Sequence, residues 1–337
     1  MRVARFHFAS GQTANFLVVG VPAAARLARA FAEAMPGEPM VLTIGNRGTL
    51  TDATKAEIAR LAPGLSVRLM DPRDAWAIPG EALPDAAAIA ALSAGTAPIP
   101  PPPADPAETL KLAGRAIICA TAKPGDGVVS RHLNRRLSQA VSARLLRYHW
   151  IRPDHATVLT ALIALAMFAC LLIGTPSGLI GGAMLFQLAS MADGIDGEIA
   201  RATFRTSPRG ASLDSVTDGV TNVGFLVGAG INYLMQGHSA DAGVSLVGAA
   251  VMTAGLVSLG WRAVRQDGHV HFDGLKGPNA ASGAATSRWL KDMTSRDFYC
   301  LFLLVMALAG LLALALKIVL VASTVWLIVV LRKAVFA

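Results

Sequence analysis

Gly178-Leu179-Ile180-Gly181-Gly182-Ala183-Met184-Leu185-Phe186-Gln187-Leu188-Ala189-Ser190-Met191-Ala192-Asp193-Gly194-Ile195-Asp196 is the stretch on which the fold turns. From Leu179 to Ala192 it is apolar apart from Gln187 and Ser190, and then it becomes acidic. A helix that crosses a bilayer needs about 20 mostly apolar residues. If the apolar part stops at Asp193, this span is short, and the helix is expected to run on into water carrying the carboxylates with it. Five further apolar segments, roughly 157–174, 212–235, 242–262, 298–316 and 318–335, have the length or composition of spans. The expected fold is therefore an α-helical membrane bundle of about six transmembrane helices.

The composition agrees, and it divides the chain. Of 337 residues, 53% are hydrophobic and 15% charged, against roughly 25% charged in ordinary soluble domains; mean hydropathy is +0.51. Charges, prolines and short apolar runs mix as far as about residue 150, whereas beyond Thr157 charges gather in a few loops. Residues 1–110 are expected to form a small α/β cytoplasmic domain. Its predicted elements are a strand at Asn15–Gly20, a helix at Pro22–Met35, a strand at Pro39–Ile44, a helix at Asp52–Leu61 and a strand at Leu65–Leu69. Alternating strand and helix implies a parallel sheet. No Walker loop and no Gly-rich dinucleotide turn follows a strand. Ala97–Ala107, rich in proline, reads as a stiff linker, and Arg115–Thr121 as a last strand.

Residues 123–150 predict a basic amphipathic helix. Val129, Leu133, Leu137, Val141, Leu145 and Leu146 share one broad face, and Arg131, Arg135, Arg136, Arg144 and Arg147 crowd the rest. Such a helix ahead of a span suits an anionic membrane interface, with Trp150 as an interface anchor. The membrane domain is expected over 151–337. With both chain ends inside, the inner loops hold Arg201, Arg205, Arg209, Arg262, Arg265, Lys276, Arg288, Lys291 and Arg296, and the outer loops only Lys317. Positive-inside counting then faces these loops to the cytoplasm, as in a multi-pass inner-membrane protein. The net charge of +8 is accounted for by those flanks, and no basic patch interleaved with aromatics points to nucleic acid. Cys119, Cys170 and Cys300 have no metal-ligand spacing. His269-Val270-His271 reads as a loop pair rather than a metal site. The first residues lack the apolar core of a signal peptide.

The chemistry is concentrated in Asp193-Gly194-Ile195-Asp196-Gly197-Glu198-Ile199-Ala200-Arg201 and Gly210-Ala211-Ser212-Leu213-Asp214-Ser215-Val216-Thr217-Asp218. At 3.6 residues per turn, 193, 196, 197 and 200 share one helix face, and 210, 214 and 218 share another. A short connection makes the two helices antiparallel neighbours, so four carboxylates are expected to converge. Like charges in contact repel by on the order of 4 kcal/mol per pair at intermediate dielectric. Such a cluster is stable only if cations bind it or some members are protonated, and oxygen-only ligands select a hard dication, Mg²⁺ or Mn²⁺. The bland alternative pairs these acids with Arg201, Arg205 and Arg209 in solvent; it suits a single Asp better than four at helical spacing.

The full pattern D-x2-D-G-x2-A-R-x8-G-x3-D-x3-D resembles the signature of the CDP-alcohol phosphotransferase family. The resemblance covers roughly residues 123–335. It implies transfer of a phosphoalcohol from a CDP-linked donor to an acceptor hydroxyl, with release of CMP. It further implies that Asp193, Asp196 and Asp214 hold the metal, and that Asp218 joins the metal site or acts as general base. Gly197, Ala200 and Gly210 would line the cytidine pocket, with Arg201 supporting it electrostatically. The family's Pro-Asn-x-x-Thr becomes Pro153-Asp154-His155-Ala156-Thr157, an Asn-to-Asp change that adds a negative charge near the expected donor site. Lys123–Gly127, Ser130–Arg135 and Thr294–Asp297 are similar to enzymes fusing an inositol-phosphate cytidylyltransferase to a di-inositol-phosphate synthase. That likeness implies CDP-inositol as donor and a polar or phosphorylated alcohol as acceptor, with Arg262, Arg265, Arg288 and Arg296 suited to an anionic headgroup or simply obeying the positive-inside rule. The N-terminal domain lacks the basic Gly-rich nucleotide loop of those fusions, and reads as a degenerate nucleotidyltransferase-like unit that binds or scaffolds. The membrane itself is a partner, and a homodimer is compatible with the sequence. Two alternatives stand: a phosphatidyltransferase using CDP-diacylglycerol to make a phospholipid, and a divalent-cation transporter, which would need its carboxylates nearer mid-membrane.

Overall fold

A computed structural model describes residues 5–70, 77–123, 125–267 and 295–335. The chain forms two compact units: Met1–Thr121 with Ser142–Ile151 and Arg201–Phe204, and Ala122–Val141 with Arg152–Ala200 and Arg205–Ala337.

In the first unit the order is β1 (Arg5–Phe8), α1 (Gly11–Ala14), β2 (Leu17–Val18), β3 (Val21–Pro22), α2 (Ala23–Ala34), β4 (Met40–Ile44), α3 (Asp52–Leu61), β5 (Val67–Met70), β6 (Ile78–Pro79), α4 (Ala86–Ala94) and α5 (Pro106–Ala120). A parallel sheet runs β5-β4-β1-β6, with Phe6 opposite both Leu42 and Ile78. Phe6 and Phe8 point inward on alternate positions of β1 and are fully buried; Phe6 meets Phe31 of α2 edge-on at 5.9 Å. Thr51 caps α3 by accepting from the Thr54 N–H, so that helix begins and ends where its sequence says.

Two expectations are corrected here. Asn15–Gly20 does not enter the main sheet. Val19 and Gly20 take positive φ of 51° and 77°, which turns the chain back, and Leu17–Val18 pairs antiparallel with Val21–Pro22. The first parallel strand is Arg5–Phe8 instead. Arg115–Thr121 is no strand either: it is the end of α5, a helix started by the Asp105 cap and Pro106 in the first turn. Leu110 and Ile118, on one helical face, are its buried residues, and this periodicity outweighs the local β-branched run.

The ends of β1 and β4 close on one another. A Cβ on Gly45 would lie 2.3 Å from the Ala9 carbonyl oxygen, and one on Gly48 would lie 2.4 Å from the Gly11 nitrogen. Backbone thus packs on backbone at the carboxyl ends of the strands, where open α/β sheets usually leave a crevice for ligands.

The second unit is helical. A turn at Ser130–Asn134 leads into α6 (Arg135–Leu145), followed by α7 (Pro153–Leu171), α8 (Pro176–Ala202), α9 (Pro208–Met235), α10 (Ser239–Asp267), α11 (Arg296–Leu308) and α12 (Leu312–Val335). Among the described residues, α7, α8, α10 and α12 are long and apolar enough to cross a membrane. α11 has 13 residues, and α9 is polar through its first turns, so a count of six spans is not established. α8 is one continuous helix through the carboxylates. Outward faces carry Leu162, Leu165, Val257, Val321 and Val325, each more than half exposed. A bundle with so much exposed aliphatic surface is built for lipid rather than water.

Inside, Phe186 of α8 stacks on Phe225 of α9 at 4.6 Å and meets Tyr299 of α11 edge-on at 5.5 Å. These rings tie together the three helices that carry the polar site, about two turns from its carboxylates. The basic helix buries polar residues and leaves part of its expected apolar face exposed. Its buried residues include Ser130, Asn134, Arg135 and Ser138, while Leu133, Leu137 and Val141 are 39%, 47% and 38% exposed. His269, His271, Lys276, Arg288, Lys291 and Thr294 lie outside the described residues.

Candidate active site

Asp193 is on α8, Asp214 and Asp218 are on α9, and each offers an oxygen within 4.8 Å of the others. α9 starts with Ser207 as cap, its Oγ accepting from the Gly210 N–H at 3.0 Å, and Pro208 in the first turn. From there positions 210, 214 and 218 follow one face of α9, and α8 presents 193, 197 and 200 by the same period. The pairings 186 with 225 and 193 with 218 run in opposite directions along the two helices, which makes them the antiparallel neighbours expected.

Arg296, in the first turn of α11, reaches into this group. Its Nη1 is 3.1 Å from Asp193 Oδ2 and also donates to Asp218 Oδ1. Its Nε and Nη2 are buried without a partner among the described residues, as is Asp214 Oδ1. Asp196 stands outside the three-carboxylate group and is 8% exposed. One of its oxygens accepts from Thr157 Oγ1 at 2.9 Å, and the other from the Gly197 N–H. Thr157 lies one turn into α7, which Pro153 opens at its first position.

The remaining sequence candidates are placed as follows. Gly197 and Ala200 lie on α8 on the side of Asp193, and Gly210 in the first turn of α9. Arg201, in the first unit, donates from Nε to the Thr121 carbonyl at 2.8 Å.

Sequence reasoning missed a buried set of charges beside the site. Glu198 of α8 is fully buried, and its Oε1 accepts from Arg135 Nη1 at 2.9 Å and Ser138 Oγ at 2.6 Å. The same Arg135 forks onto Asp126, Nε to Oδ2 at 2.7 Å and Nη2 to Oδ1 at 3.0 Å. Burial alone would lower the Arg135 pKa, but Asp126 and Glu198 hold it above its ordinary value. Burial likewise would raise Asp126; the Arg135 guanidinium outweighs it and holds the carboxyl low. The sequence signal was faint, a polar residue between the fixed positions Gly197 and Ala200.

The carboxylates fit a divalent ion. The donors are all oxygens, as hard cations prefer, and Asp214 Oδ1 is a buried acceptor with no donor among the described residues. Three carboxylates this close are relieved by a cation or by protonation, and the one guanidinium supplies only a single charge.

Residues 150–330, more than half of the chain, match the family described as CDP-alcohol phosphatidyltransferase. A Thermococcus kodakarensis protein named bifunctional IPC transferase and DIPP synthase is 42% identical over 123 residues, 36% of this chain and 27% of that protein. A protein of the same name from Aquifex aeolicus is 46% identical over 102 residues, 30% of this chain and 22% of that protein. Another from Rubrobacter xylanophilus is 36% identical over 148 residues, 42% of this chain and 33% of that protein. The aligned stretches span a third or less of each of these relatives.

Proposed function

Since the chain belongs to the CDP-alcohol phosphatidyltransferase family, we propose that this enzyme moves a phosphoalcohol from a CDP-linked donor to an acceptor hydroxyl at the Asp193–Asp214–Asp218 cluster, releasing CMP. The observation that carries this reading is the meeting of those three carboxylates, with one Asp214 oxygen unpartnered among the described residues. Asp193, Asp214 and Asp218 would hold Mg²⁺ or Mn²⁺, with Asp196 joining them from its place beside Thr157. The ion would supply charge neutralisation on the donor diphosphate.

The protein's own groups do the rest. Gly197, Ala200 and Gly210 offer small side chains where the cytidine moiety would lie, and Arg201 adds positive charge to that end. Thr157 fixes the Asp196 carboxylate through its hydroxyl. Asp218 accepts the acceptor's hydroxyl proton once Arg296 has turned away from it; while paired with Arg296 it is a weak base. Arg296 then has a guanidinium free for an anionic substituent on the acceptor.

For the donor, the reading favours a CDP-linked polyol such as CDP-inositol and a phosphorylated acceptor, on the likeness to relatives named bifunctional IPC transferase and DIPP synthase. One observation favours CDP-diacylglycerol instead. A cavity of about 510 Å³ between α9, α10, α11 and α12 reaches Arg296 and is walled by Met252, Leu256, Phe302, Ile318 and Trp326, a lining suited to an acyl chain. The cytoplasmic orientation rests on the arginines at the α8–α9 turn and at the end of α10. Leu133, Leu137 and Val141, exposed among arginines, suit a helix lying in the leaflet interface. The N-terminal unit, with its strand ends closed by backbone, suits binding or scaffolding better than donor synthesis.

The test is purified full chain with Mn²⁺ or Mg²⁺ and either CDP-inositol plus inositol phosphate or CDP-diacylglycerol plus a polar alcohol. CMP with a di-inositol product supports the polyol donor, and CMP with a phospholipid supports the lipid donor. No CMP from any CDP-alcohol contradicts the reading.

A further inference from the structure

The turn Ser130–Asn134 is a single π turn, closed by the Arg135 N–H donating to the Ser130 carbonyl five residues back. Adjacent residues of an α-helix point about 100° apart, yet Asn134 and Arg135 are both buried, at 4% and 8% exposure. Each engages α8. Asn134 Oδ1 accepts from Gln187 Nε2 at 3.1 Å, and its Nδ2 donates to Asp297 Oδ1 at 3.1 Å, an oxygen that also accepts from Ser190 Oγ at 3.1 Å. Arg135 reaches Glu198 as described and approaches the Gly194 carbonyl at 3.5 Å. Gly194 makes room for this: a Cβ there would sit 3.1 Å from Arg135 Nη1 and 3.3 Å from Ser138 Oγ.

The contacted positions 187, 190, 194 and 198 form one stripe of α8, roughly 100° around the helix from the stripe 193, 196, 197 and 200. They bracket Asp193 and Asp196, running from Gln187 ahead of the first to Glu198 just past the second. Rotation of α8 would break contacts at both ends together, because Asn134 and Arg135 are neighbours in one rigid turn. Through Asp297 the same turn also holds the residue next to Arg296. Polar groups this buried cost free energy when they lose their partners, so moving either residue of the turn off α8 is costly.

We infer that Asn134 and Arg135 are positioning residues for the reaction: with Glu198 they fix the rotation of α8, and so the direction in which Asp193 and Asp196 face the metal and the donor. This deepens the proposed function and rests on it for the word reaction, but the placement of the carboxylates can be read without any substrate. Groups that orient metal ligands without touching the metal typically change affinity or activity by about 10–100-fold when altered.

The experiment uses the purified full chain as wild type, Arg135→Lys and Glu198→Gln. Lysine keeps the charge but cannot make the three-way fork, and glutamine keeps the shape of Glu198. Mn²⁺ binding is measured directly by electron paramagnetic resonance on folded, monodisperse protein, alongside kcat and donor KM. The expected result is Mn²⁺ affinity and kcat each lower by about 10–100-fold, with donor KM within about twofold and Glu198→Gln the milder variant. Lowered melting temperature with wild-type Mn²⁺ affinity and kcat would mean the cluster is merely structural, and overturns the inference while leaving the proposed function standing. Weakened Mn²⁺ binding in the variants of a wild type that releases no CMP supports the clamp and overturns the reaction.

Discussion

Replacing Arg296 by glutamine should make the protein depend on a metal ion for its stability. Arg296 Nη1 lies 3.1 Å from Asp193 and contacts Asp218, with its side chain 15% exposed. Removing one partner of such a shielded pair typically costs about 3–5 kcal/mol. The cause is visible in the residual charges: carboxylate oxygens within 4.8 Å of one another repel by at least about 3 kcal/mol per pair at an effective dielectric of about 20. Arg296→Gln should therefore unfold at a temperature lower by on the order of 5 °C in EDTA. A dication should restore most of that loss, because it meets a cluster with no competing guanidinium. If about 3 kcal/mol of that competition is relieved, Mn²⁺ affinity rises by up to about 100-fold. Thermal unfolding of the full chain at one fixed scan rate, in EDTA and across a Mn²⁺ series, reads both effects. An equal Mn²⁺-induced rise in wild type and Arg296→Gln would refute the reasoning, since it would mean that Arg296 and the ion do not share a site.

Thr157→Val removes the hydroxyl donated to Asp196 at 2.9 Å; a hydrogen bond to a charged group contributes about 1.5–3 kcal/mol, so kcat should fall by at least tenfold with folding intact, and an unchanged kcat would detach Thr157 from the site. Gly45→Ala would push a methyl to 2.3 Å from the Ala9 carbonyl oxygen, and overpacking of this kind costs about 1–3 kcal/mol; limited proteolysis should cut the N-terminal unit sooner, and wild-type resistance would contradict the close backbone packing. Asp126 has a folded pKa below its unfolded value, so its contribution is present above about pH 4 and is lost as pH falls through the folded value. The gap in unfolding midpoint between wild type and Asp126→Asn should be open at pH 7 and close as the solution is made more acid; a gap independent of pH would show that the Arg135 pairing is not its source.

The elements legible in the sequence were those whose signal is local. Asp52–Leu61 carries its own cap and period, and the aspartates of 193–218 announce two helix faces by spacing alone. Arg5–Phe8 escaped because four residues with two inward phenylalanines give too short an alternation to stand out. α5 was misread at its end because its start, Asp105–Pro106, is hidden in a proline run, leaving Ile117-Ile118-Cys119 to suggest a strand. The partition of the aspartates was not legible either: Asp196 turns to Thr157, whose partner lies 39 residues away, and spacing within a helix says nothing of that. Arg135 sits among four similar arginines, and nothing in the chain distinguishes it until Glu198, 63 residues on, is brought beside it. The outward placing of Leu133, Leu137 and Val141 reverses what a soluble helix would do, and it follows once the buried partners are polar.

The central claim, that the carboxylates of α8 and α9 transfer a phosphoalcohol with a metal ion, is tested most directly by CMP release from a CDP-alcohol by wild type and Asp214→Ala over a Mn²⁺ titration. Wild type should release CMP only with the ion present, and Asp214→Ala, folded by its melting profile, should release none at any concentration. CMP release by Asp214→Ala at the wild-type rate, or by wild type in EDTA, would contradict it.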